Sequence, residues 1–203
     1  MQKIKNFFYY EWKKLVAVAC VIVLILVTVK QCNSKVVTDL GVLYISTQNP
    51  GDLTPLEEDI KISSIVKDAD GDGKTTIKTR TIPISNDEAI NIEQQVYQQI
   101  QLEIVSGENL LFLINEETLI SNATGFCFAD IGDIAKKYNI PPQNCHAYDD
   151  GRIYAISIEG NSYLESFGIN TENMFIAQRD YKPEDKDSTF NTNAKKIIEY
   201  ILK

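Results

Sequence analysis

The sequence predicts an N-terminal transmembrane helix followed by one mainly parallel α/β domain. Residues 15–29 form a run with no charged residue, β-branched or fully apolar segments alternate with helical stripes downstream, and helix-start signals stand between them. With 203 residues, 44% hydrophobic and 24% charged, the chain has room for one domain of ordinary size, which excludes a large multidomain enzyme.

Leu15 to Val29 is rich in Val, Ile and Leu. As a helix it rises roughly 22 Å, short of a hydrocarbon core of about 30 Å. The flanks extend it: Phe7, Phe8, Tyr9, Tyr10 and Trp12 form an aromatic belt, and the stems of Lys13, Lys14 and Lys30 reach toward the headgroups. Lys3, Lys5, Lys13 and Lys14 precede the run, against Lys30 and Lys35 after it. That asymmetry predicts residues 1–14 in the cytoplasm, 15–30 in the membrane, 31–35 as a linker and 36–203 outside, in a single-pass protein of the cell membrane. Lys30, Gln31 and Cys32 do not make a small-residue cleavage site, which disfavours a removed signal peptide.

The elements of the domain follow in order. Val36 to Ser46 is a β-branched run closed by the turn cluster Gln48, Asn49, Pro50 and Gly51, hence a strand. Thr54, with Pro55 next and Glu57 three residues on, is a capping box opening a helix that stops near Lys67. Thr75 to Ser85 is rich in Thr and Ile and carries Pro83, so it reads as a strand near a sheet edge. Ser85 with Glu88 repeats the capping pattern. The next helix carries the stripe Ile92, Val96, Ile100, Ile104 and stops at Gly107. Leu110 to Ile114 is wholly apolar, as expected of a strand covered on both faces. A short helix over 131–138, strands over 152–158 and 174–177, and a C-terminal helix striped by Ala194, Ile197, Ile198 and Ile201 complete the alternation.

Charge narrows the function. Past the first 14 residues stand 16 basic against 27 acidic residues, and such a domain repels nucleic acid. Its sharpest motif is Asp68, Asp70, Asp72 and Gly73. In an EF-hand-type loop, positions 1, 3 and 5 give carboxylate oxygen and position 7 a backbone carbonyl; here these are the three aspartates and Lys74, with Thr76 at position 9. Thr79 occupies position 12 and cannot supply the bidentate carboxylate that closes the cage, so Asp87, Glu88 or water would have to complete it. Three acids this close repel one another without a cation, which points to a structural calcium ion.

Cys127 and Cys145 form an even pair in an oxidising compartment and are expected to be bonded. His146 is the chain's single histidine and reads as an ordinary side chain. Gly73, Lys74 and Thr75 imitate the end of a phosphate loop, but the required leading glycine falls at Asp68. Ser64 and Lys67 have serine acyl-enzyme spacing with no companion motif. No positive signal for an enzyme remains.

Two stretches carry a resemblance. Glu103-Ile104-Val105-Ser106-Gly107-Glu108-Asn109-Leu110-Leu111-Phe112 and Asp149-Asp150-Gly151-Arg152-Ile153-Tyr154-Ala155-Ile156 resemble segments of the extracytoplasmic solute-binding proteins of ABC importers. The chain as a whole also resembles small membrane-anchored bacterial proteins. The resemblance implies a single solute-binding lobe, since residues 158–203 are too few for a second one. The expected function is a membrane-anchored, extracytoplasmic, non-enzymatic binding module with a calcium loop, whose partner is a protein or a small extracellular ligand. The alternatives are a solute-binding component of an ABC-type importer and a calcium-stabilised surface structural protein.

Overall fold

A computed structural model of the chain describes Trp12, Lys14 and residues 16–25, 38–84, 90–106, 110–125, 127–180 and 188–203. The chain divides into two units, Met1–Val37 and Thr38–Lys203. In the first, residues 16–25 are helical. Among the described residues no helix is long and apolar enough to cross a membrane. The expected transmembrane helix over 15–30 is thereby corrected, and with it the single-pass cell-membrane localisation that was built on it. Leu15, residues 26–30 and the linker 31–35 lie outside the described residues.

The second unit is an α/β domain on a six-stranded sheet. Its strands are β1 (Leu40–Ser46), β2 (Ile77–Pro83), β3 (Leu111–Asn115), β4 (Cys145–Ala147), β5 (Ile153–Ser157) and β6 (Met174–Gln178). Its helices are α1 (Thr54–Ser63), α2 (Ile90–Ser106), α3 (Glu116–Asn122), α4 (Gly132–Lys137), α5 (Ser162–Ser166) and α6 (Thr189–Ile201). The spatial order is β2-β1-β3-β6-β5-β4.

The sheet is mixed, not mainly parallel as expected. β1 runs parallel to both β2 and β3, whereas β3–β6, β6–β5 and β5–β4 are antiparallel. The reason is local. Crossover helices α1 and α2 feed the parallel strands, but β4 and β5 are joined by the turn at Asp149-Asp150-Gly151, with Gly151 at φ 85°, and a tight turn can only reverse a strand. The second stretch that resembled a solute-binding protein is the turn and second strand of that hairpin.

Burial follows the two-residue strand period. Leu40, Val42 and Tyr44 of β1 and Leu111 and Leu113 of β3 face one core, together with Leu56 and Ile60 of α1 and Ala194, Ile197 and Ile198 of α6. Leu43 and Ile45, Phe112 and Ile114 face the other, under Ile100 and Ile104 of α2 and Leu119 of α3. β1 and β3 are buried on both faces, as the unbroken apolar runs require, and β2 is the edge strand that Pro83 indicated.

The capping box at Thr54 is corrected. Leu53 is the cap residue and has no side-chain cap bond; Asp52 Oδ1 accepts the Thr54 N–H at 2.9 Å. Glu57 turns instead to β2, where Oε2 accepts from both the N–H and Oγ1 of Thr79 at 3.2 Å, while Oε1 pairs with Lys61 at 2.8 Å. The helix ends at Ser63, where Ser64 takes the left-handed conformation, short of Lys67. The second capping pair, Ser85 and Glu88, and the stop at Gly107 lie outside the described residues.

Candidate metal centre

The residue before β1 is Asp39, a carboxylate only 1% exposed at the head of an apolar strand. Such a group must be hydrogen-bonded to remain there. Its Oδ1 accepts the N–H of Ala69 at 2.6 Å and its Oδ2 the N–H of Thr76 at 2.7 Å. The Thr76 carbonyl in turn accepts from the N–H groups of Asp39 and Leu40 at 2.9 and 3.3 Å. One buried aspartate thus ties both ends of the loop between α1 and β2 to the amino-terminal end of the sheet. Asn193 of α6, fully buried, adds a latch: its Oδ1 accepts the Lys67 N–H at 2.9 Å, and its Nδ2 donates to the carbonyls of Lys67 at 2.7 Å and Asp39 at 3.3 Å.

Inside the loop, each acid turns back on its own backbone. Asp68 Oδ1 and Oδ2 accept the N–H groups of Gly71 and Gly73 at 2.7 and 2.8 Å, Asp70 accepts from Asp72 at 3.0 Å, and Asp72 from Lys74 at 2.7 Å. Gly71 and Gly73 sit at φ 78° and 80° with open space around them, so backbone conformation and not crowding calls for glycine.

This folding brings one carboxylate oxygen each of Asp39, Asp68 and Asp70 within 4.8 Å of one another. Electrostatics divides the acids. The Gly73 N–H, with help from Gly71, holds the Asp68 carboxyl below its ordinary value. The Asp72 N–H pulls Asp70 down, but desolvation, the charge of Asp72 and the contact with Asp68 outweigh it, and Asp70 stands above its ordinary value. An all-oxygen set of this kind suits a hard cation such as Ca²⁺ or Mg²⁺ rather than a thiolate- or imidazole-seeking metal.

Of the five expected ligands, Asp68 and Asp70 belong to the group. Asp72 does not; its oxygen serves Lys74. Lys74 supplies the N–H of that bond, and the Thr76 carbonyl is engaged by β1. Asp39 is the member of the group that sequence spacing missed, and its signal was an acid at the head of a β-branched run. Thr79 lies in β2 bonded to Glu57, while Asp87 and Glu88 lie outside the described residues.

Cys127 and Cys145 are free thiols, not the expected disulfide. They pack on opposite faces of the sheet, Cys145 against the core under α1 and α6 and Cys127 against the core under α2 and α3. Burial pushes the Cys127 thiol up to about 11 and raises Cys145 as well. His146 Nε2 lies 3.0 Å from Glu116 Oε1, and its ring packs on Phe175 with centroids 4.6 Å apart. Ser64 Oγ donates to the Ile62 carbonyl at 3.4 Å and the Lys67 N–H to Asn193, so the acyl-enzyme spacing assembles nothing.

No family model matches the chain, and no curated protein or solved structure matches it either.

Proposed function

We propose that residues 38–203 form a non-enzymatic binding module whose α1–β2 loop takes a divalent cation of the calcium class as a structural clip. The observation that carries this reading is the convergence of Asp39, Asp68 and Asp70. Carboxylates this close repel one another when ionised. A cation removes that repulsion and makes the loop a brace between β1 and β2. The non-enzymatic part is supported by the Cys127 and Cys145 thiols, which burial keeps protonated.

Melting of the full chain, first in EDTA and then in increasing CaCl₂, tests the proposal. The expected result is a rising midpoint, with about 2.7 kcal/mol gained when calcium stands at 100 times its Kd. Asp70→Asn abolishes that rise. No shift up to about 10 mM calcium, ten times above the weakest sites of this chemistry, overturns the reading.

A further inference from the structure

We draw no further inference here: the strongest candidate, the helix over residues 16–25, whose apolar side chains are exposed along its whole length, carries nothing because nothing in the structure shows what covers it.

Discussion

At the amino-terminal end of β1 a carboxylate is sunk into the protein and both its oxygens accept backbone N–H groups, drawing a whole loop onto the sheet. At the carboxyl end of the same strand Glu116, Glu117 and Glu172 stand around a cavity, and the buried Asn115 Oδ1 beside it has no donor among the described residues. The two ends carry the same sign of charge and differ in what that charge is fastened to. Acids bonded to backbone N–H groups are part of the fold, and their removal should be felt as stability. Acids whose partners are exposed side chains, as Glu172 has in Gln48, are held by less, and their removal should leave stability nearly unchanged. The difference teaches that charge count is a poor guide to a site and hydrogen-bond accounting a better one.

The sharpest test of the first end is Asp39→Ala. It strands the Ala69 and Thr76 N–H groups, each worth about 1–3 kcal/mol when left without an acceptor, so the expected loss is about 2–5 kcal/mol. For a domain of this size that lowers the melting midpoint by roughly 5–15 °C. Denaturant unfolding monitored by circular dichroism reads the loss, and a cost below about 1 kcal/mol, the scale of an ordinary surface change, would break the comparison. Next in size is Asn193→Ala, which cuts the latch from α6 to Lys67 and Asp39 without touching an acid. About 2 kcal/mol is expected from the unsatisfied Lys67 and Asp39 groups. Hydrogen exchange should then show the Lys67 and Ala69 amides opening faster, whereas unchanged exchange would mean that the latch bears nothing.

Asp70→Asn changes sign with conditions. Asp70 stands above its ordinary value, so the folded chain protonates it more readily than the unfolded chain does. Without cation, its ionisation as pH rises past the usual carboxylate range works against folding, and the amide should be neutral or mildly stabilising at pH 7. Asp68 is held below its ordinary value; it contributes stability above the unfolded carboxylate value and loses it as pH falls through its own lower one. With calcium the order inverts, because the carboxylate becomes a ligand and Asp70→Asn becomes destabilising. Calcium affinity should fall as pH drops into the carboxylate range, since the cation then competes with a proton, first at Asp70. Melting curves at pH 4.5 and pH 7, with EDTA and with calcium, read all four combinations, and an effect of one sign throughout would remove the cation from the loop.

What was legible beforehand divides along similar lines. Elements with strong periodic burial were readable: β1, β3 and the stripe of α6 follow directly from which residues must leave water. The acidic loop was readable as a loop because alternating Asp and Gly can do little else. Asp39 was not, since its place beside Asp68 and Asp70 comes from β1 lying next to β2, and its partner Ala69 is 30 residues away in sequence. The hairpin β4–β5 was half readable, as a strand over 152–158 was expected but the three-residue strand before it has too little apolar pattern to announce itself.

The smallest effect belongs to the second end. Glu172→Gln keeps an oxygen that can accept from Gln48 and removes a charge that no cationic side chain among the described lining residues answers. Its effect on stability should lie within about 0.5 kcal/mol in either direction, as for substitutions away from packed or hydrogen-bonded features. Relief of repulsion from Glu116 and Glu117 pushes toward stabilisation, and that part should fade between low salt and about 0.15 M, where charges more than about 8 Å apart are screened. Urea unfolding at the two salt concentrations measures both the size and the trend, with an unchanged m-value showing that the unfolded state is the same. A loss of about 2 kcal/mol or more would mean that Glu172 is built into the fold as Asp39 is, and the two ends of β1 would then be alike.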